Sequence, residues 1–236
     1  KSSFEAFVTG EKDVEKRLDK PYGVSMYDGK IYVCDTNQSV MVFDLQKRTF
    51  TPMQGAKGMG KLLQPLNIVV DKDGTKYVTD AVRGQIVVFD KNDFYVTAFG
   101  QPGFWKPADA AIFGDELYVA DTKNAQIVVL NKKTGETVRK FGQNGDASER
   151  LYIPTNVSFD KDGILYVSDA GKFEVLKYDR DGHMRGSFGK LGTTTGTFAR
   201  PRGGTTDGEK HVYVVDAAFD NVQVFNNEGQ MLFYFG

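Results

Sequence analysis

The chain has 236 residues, 30 Lys and Arg against 31 Asp and Glu, a net charge near −1 and one cysteine, Cys34. That balance gives no global drive toward nucleic acid or an anionic membrane. A lone cysteine excludes an intramolecular disulfide and a cysteine-built metal centre. No apolar run approaches the roughly 18 residues of a membrane-spanning helix. The sequence opens on Lys1 without a Met or a signal pattern, and so reads as a processed or excerpted chain.

Taken in chain order, residues 4–10 (FEAFVTG) read as a strand without partners of its own. Pro21 then opens a unit that recurs five times. The first unit runs through an apolar stretch at Val24, an Asp28-Gly29 turn, YVCD (32–35), VMVFD (40–44) and MQG (53–55). The second follows Pro65 with NIVV (67–70), Asp73-Gly74, YVTD (77–80), IVVFD (86–90) and AFG (98–100). Pro107 leads Gly114-Asp115, YVAD (118–121), IVVLN (127–131) and KFG (140–142). Pro154 leads Asp162-Gly163, YVSD (166–169), VLKYD (175–179), Asp181-Gly182 and SFG (187–189). Pro201 leads Asp207-Gly208, YVVD (213–216), VQVFN (222–226), Glu228-Gly229 and YFG (234–236). The Asp residues Asp35, Asp80, Asp121, Asp169 and Asp216 are spaced by 45, 41, 48 and 47 residues.

Each unit reads as four short antiparallel strands, with Asp-Gly pairs whose tolerance of positive φ suits two-residue hairpins. Helical periodicity is missing. Four strands per repeat of this length is the signature of a β-propeller blade. The expected architecture is an all-β propeller in one domain over 1–236, with blades at about 21–64, 65–106, 107–153, 154–200 and 201–236. Residues 4–10 are expected to form the outer strand of an otherwise incomplete closing sixth blade.

The unit resembles the NHL repeat: Pro-x-Gly/Asn-Val, Asp-Gly, Tyr-Val-x-Asp, Val-x-Val-Phe-Asp and Phe-Gly, over about residues 21–236. It is most similar to bacterial exported NHL propellers, often lipoproteins, some of which accompany multihaem cytochromes or surface assemblies. The resemblance implies a non-enzymatic binding platform, extracytoplasmic (periplasm or outer surface), with a protein partner such as a multihaem cytochrome or an envelope complex. It implies no cofactor. Fold does not fix function.

Residues repeated in every blade serve the fold, so function is sought where blades differ, in the loops around the Pro residues and after the YVxD Asp. There Tyr22, Arg83, Trp105, Lys123, Phe173, Arg202 and Phe219 are expected to form a partner-binding surface, because aromatics and Arg dominate interface cores. Lys20, Lys106, Lys172, Arg200 and Tyr152 lie in the same loops. The rivals are an RNA-binding NHL platform, against which the net charge argues, and a calcium-dependent lactonase-like hydrolase. For the latter, Asn67, Asp109 and Asn156 fall two after the Pro in adjacent blades, where carboxylate and amide oxygens could ring a Ca²⁺. Gly23 and Gly203 share that position, which points instead to a need for positive φ. No catalytic or metal residue is assigned: the two histidines, His183 and His211, cannot supply a three-His zinc site. GAKGMGK (55–61) imitates a phosphate loop, but Leu62 replaces the metal-binding Ser/Thr and Pro65 stops any helix. It is expected to be a flexible basic connection. Cys34 reads as a small buried hydrophobe. Asn37-Gln-Ser and Asn156-Val-Ser match glycosylation acceptors.

Overall fold

The computed structural model describes residues 17–37 and 39–236. The expected strand at 4–10 lies outside them. Five four-stranded antiparallel sheets follow one another along the chain. They are β1–β4 (Pro21–Tyr27, Lys30–Asp35, Val40–Asp44, Thr49–Pro52), β5–β8 (Pro65–Val70, Lys76–Asp80, Gln85–Phe89, Tyr95–Phe99) and β9–β12 (Pro107–Phe113, Glu116–Asp121, Gln126–Asn131, Thr137–Phe141). Then come β13–β16 (Pro154–Phe159, Leu165–Asp169, Glu174–Tyr178, Met184–Phe188) and β17–β20 (Pro201–Thr206, Val212–Asp216, Asn221–Phe225, Met231–Phe235). The described residues contain no α-helix, only a 3₁₀ turn at Gly58–Gly60. First strands pack beside one another in the order β1, β5, β9, β13, β17, as blades do around an axis.

Each Pro begins an innermost strand, where a missing N–H breaks no ladder bond. A register shift follows it in each pairing. Side chains on the two faces of a sheet pack against different neighbours. Tyr32, Cys34, Val40 and Val42 meet Ile68, Val78, Val87 and Phe89 of the next sheet. Burial in that cluster pushes the Cys34 thiol well up, so it is a packed hydrophobe. The Phe of the first three Phe-Gly pairs covers a turn glycine of the following sheet. A Cβ added at Gly135 would lie 2.2 Å from Phe99, one at Gly182 2.4 Å from Phe141, and one at Gly229 2.4 Å from Phe188. In the first sheet Met53 fills the corresponding part of the core.

Polar side chains also cross between sheets. Tyr32 of the first sheet donates to Asp93 of the second at 3.0 Å, and within the second sheet the fully buried Lys76 ammonium sits 2.7 Å from the same carboxylate. Lys132 pairs with Asp71 at 2.8 Å, and Arg139 reaches the carbonyl of Arg180.

Two expectations change. The first hairpin is a two-residue turn with Asp28 and Gly29 at φ 47° and 71°. In sheets two, four and five the turn is longer, closed by Asp71 N–H on Thr75, Asp160 N–H on Ile164 and Asp207 N–H on His211. Its left-handed residue is Gly74, Gly163 or Lys210. Second, GAKGMGK is packed rather than loose. Gly55 N–H bonds Asp93 O at 2.9 Å, and a Cβ there would meet that oxygen at 2.3 Å. Gly55 and Gly60 permit close approach, while Gly58, with nothing within 4 Å, supplies a left-handed turn at φ 56°. As expected, the described residues form five blades, and the flanks of the first and last are exposed. Val24 is 64 % exposed where its counterparts Ile68 and Val157 are at 4 %. Phe235 is 51 % exposed where Phe99 is at 6 %.

The repeat Asp residues are all at 0 % exposure. Asp169 accepts from Tyr152 and Ile153 N–H at 2.7 and 2.9 Å, and from Gly171 and Lys172 N–H at 2.9 and 3.1 Å. Asp169→Ala orphans these four donors and is expected to cost about 3 kcal/mol or more in urea unfolding. Asp169→Asn keeps one acceptor oxygen and is expected to cost less.

Candidate functional site

Strand one starts, and strand two ends, on one face of the propeller. The loops before each Pro and after each Asp therefore meet there. The Asp carboxylate joins them. Asp80 takes Leu63 and Gln64 N–H at 2.6 and 3.0 Å from the Pro loop and Arg83 N–H at 2.9 Å from the following loop. Asp216 does the same with Ala199, Arg200 and Ala218, at 2.7, 3.0 and 2.9 Å. Asp121 adds the Asn124 and Gln126 amides at 2.6 and 2.9 Å. Sequence reasoning gave the Asp only the loop after it; the second half of the clamp involves residues about 16 positions upstream.

A cavity of about 420 Å³ opens on the axis of this face. Tyr22, Lys20, Lys106, Arg200 and Arg202 line it, with Leu66, Ala108, Ile153 and Ala170. Of the expected partner-binding residues, Tyr22 (43 % exposed) and Arg202 meet here. The others stand elsewhere. Arg83 is turned onto the inter-blade connection, donating to Met59 O and Lys61 O at 2.8 and 2.9 Å. Lys123 reaches Gly103 O and stays exposed. Phe173, at φ 60°, leans on the cluster around Phe198, and Phe219 is half-buried.

Trp105 is the clear correction: it is 9 % exposed, with its indole N–H on Gly84 O at 2.8 Å. Its ring covers Gly100, as Leu151 covers Gly142 and Phe198 covers Gly189. An apolar residue two or three places before the Pro recurs as Leu62, Trp105, Leu151 and Phe198, all buried. That periodicity marks a core plug. A larger cavity, about 550 Å³, lies off axis between the second and third sheets beside Trp105, lined by Gln101, Asn124, Gln126, Lys140 and Gln143. No pattern in the sequence pointed to it.

Below the mouth, Asn67, Asp109 and Asn156 do come together. Asp109 takes Ala110 N–H at 2.8 Å on one oxygen, and Val157 N–H at 2.9 Å with the Asn156 amide on the other; Asn67 bonds it too. These N–H donors occupy lone pairs that a cation would need. Positive φ is not the reason for the shared position, since none of Gly23, Asn67, Asp109, Asn156 or Gly203 adopts it. The ladder is one of contact: a Cβ on Gly23 would lie 2.3 Å from Asn67 Oδ1. Asn156 is buried, which removes it as a glycosylation acceptor. On the opposite face His183 rests 3.2 Å from Asp179 and His211 2.8 Å from Asp207. Asp179, Asp181 and His183 form an open cluster, but Arg185 already pairs with Asp179 at 2.6 Å.

A search of protein-family models finds no match. Protein brain tumor of Drosophila melanogaster is 26 % identical over 150 residues, which is 60 % of this chain and 14 % of that protein, so the match spans a small part of the relative. Among solved structures, nidogen in a nidogen/laminin complex superposes with TM-score 0.73 at 18 % identity, over 91 % of this chain and 79 % of that one. An H270A virginiamycin B lyase from Staphylococcus aureus, with quinupristin, superposes with TM-score 0.69 at 16 % identity, over 94 % and 71 %. A streptogramin B lyase gives TM-score 0.72 at 14 % identity, over 94 % and 70 %. The five repeated sheets and these likenesses support an NHL-repeat-like β-propeller.

Asp109 supplies a pH test. Burial pushes its carboxyl up to about 7, against the pull of the Val157, Ala110 and Asn67 hydrogen bonds. Between its ordinary value of 3.8 and about 7 the folded chain holds a proton that the unfolded chain has released. Its contribution is therefore full below pH 3.8 and is lost as pH rises through about 7. Asp109→Asn cannot ionise and lacks this loss. Chemical denaturation from pH 4 to 8 is expected to show the variant gaining on wild type by up to about 1.4 kcal/mol per pH unit.

Proposed function

We propose that this chain is a non-enzymatic binding propeller that presents its Pro-loop face to a protein partner. The observation that carries this reading is the Asp clamp. Both loop sets of each blade are tied at the root by a buried carboxylate, so the face is ordered before anything binds and little entropy is lost on contact. Tyr22 and Arg202, at the centre of that face, are residue types that carry interface energy. The nidogen/laminin complex shows the same fold in a protein–protein assembly.

The enzyme readings have less behind them. Likeness to the streptogramin lyases at 14–16 % identity speaks for the fold alone. Both histidines of this chain sit in hairpin turns of the far face. A calcium-dependent hydrolase would need the Asp109 oxygens that N–H groups now hold. The ring is proposed to be six-bladed, because the exposed Val24 and Phe235 flanks suit cover by a further blade. An extracytoplasmic setting, with a cytochrome or envelope complex as partner, rests on the bacterial resemblance and is read by fractionation.

The test is affinity capture from native extract with wild type beside Tyr22→Ala/Arg202→Ala. A protein held by wild type and lost by the variant, with unchanged circular dichroism, is expected. The same background on both baits overturns the reading.

A further inference from the structure

We propose that the axial mouth of the Pro-loop face receives an acidic segment of the protein partner, its Glu and Asp carboxylates entering among Lys20, Lys106 and Arg202. This rests on the protein-binding reading above and names the chemistry of the partner.

The whole chain is nearly neutral, yet the mouth is lined by four cations, Lys20, Lys106, Arg200 and Arg202, and by no carboxylate. They come from equivalent places. The residue before the Pro is Lys20, Gln64, Lys106, Ile153 and Arg200 in the five blades, so a cation stands on the first, third and fifth. The residue after the Pro adds Arg202 on the fifth. Cations thus face the axis from three sides of one concavity, an arrangement that focuses potential on whatever enters.

These charges are available. Arg200 donates to Ala217 O. Among the described residues, the side chains of Lys20, Lys106 and Arg202 make no ion pair or hydrogen bond. The repeat Asp carboxylates lie beneath the surface with no exposure, each engaged by backbone N–H groups, so the charged groups lining the mouth are all cations.

Among the neutral donors, the three threonine hydroxyls are spent, while the Tyr22 hydroxyl and the Gln64 amide also line the mouth. Thr36, Thr122 and Thr155 hydroxyls donate to Lys20 O, Lys106 O and Ser168 O at 3.2, 3.1 and 3.2 Å. The mouth thus offers four cations and these two neutral groups above small apolar walls, including Ala108 and Ala170. Carboxylates on short aliphatic stems match both, and Arg202 offers the planar fork they bind. Single-stranded nucleic acid fits less well. It needs several aromatic platforms for its bases, and with Trp105 buried the mouth keeps Tyr22 alone.

The test uses fluorescein-labelled octaglutamate, octalysine and octauridylate, read by anisotropy on the intact chain at low and physiological salt. Octaglutamate is expected to bind and octalysine not. Lys106→Glu/Arg202→Glu is expected to weaken octaglutamate by about tenfold or more. The neutralising Lys106→Gln/Arg202→Gln should give a smaller loss in the same direction, and guards against a folding defect in the reversed pair. Lys47→Glu/Lys133→Glu, in turns of the opposite face, should leave binding unchanged. Equal binding by the Lys106/Arg202 variants and wild type overturns the proposal. So does octauridylate binding better than octaglutamate, which assigns the mouth to nucleic acid. Captured protein that still needs Tyr22 and Arg202 while octaglutamate fails would leave the protein-binding reading standing and remove only this one.

Discussion

A carboxylate buried at the end of each second strand organises this molecule. An isolated buried charge costs several kcal/mol. Here each Asp is surrounded by backbone N–H groups from two loops that are far apart in sequence. Asp80 draws on residues 63, 64 and 83, and Asp169 on 152, 153, 171 and 172. The loops need the carboxylate because their amides point inward. The carboxylate needs the loops because nothing else solvates it. Five such clamps turn what would be a fringe of mobile connections into a fixed surface. The inter-blade contacts, Phe over glycine and Tyr to its neighbour, then set one clamp relative to the next.

A division of labour between the two faces follows. The far face is knitted by charge: Lys76 with Asp93, Lys132 with Asp71 and Arg139 with Glu116 are all satisfied pairs. The Pro-loop face leaves cations unpaired around an axial cavity. Lys132 with Asp71 ties one blade to the next, and the other two pairs are satisfied within a blade; the unpaired cations are left for an incoming group.

The sequence carried the fold in full view because each structural job repeats. Pro, YVxD and Phe-Gly recur at matching offsets, and recurrence separated them from binding residues. Turn lengths were harder to read. Asp73-Gly74 looks like Asp28-Gly29, yet Asp71 closes a wider loop by accepting from Lys72 N–H and donating to Thr75, a choice made by a residue outside the pair. Trp105 stands among the surface candidates by residue type alone; its place in the series Leu62, Leu151 and Phe198 marks a core plug instead. Arg83 could not be read at all, since its partners Met59 O and Lys61 O belong to a loop whose course depends on packing. The shared position of Asn67, Asp109 and Asn156 was visible, but whether their oxygens faced a cation or one another is a question of backbone N–H direction.

The central claim is that the Pro-loop face is ordered in the free protein. Hydrogen–deuterium exchange of the unbound chain tests it directly, on peptides covering 61–66, 150–155 and 198–203. The account predicts that the clamped amides of Leu63, Gln64, Tyr152, Ile153, Ala199 and Arg200 exchange as slowly as those of the inner strands. Exchange at the rate of open loops would contradict it, and would mean that any partner must order this face for itself.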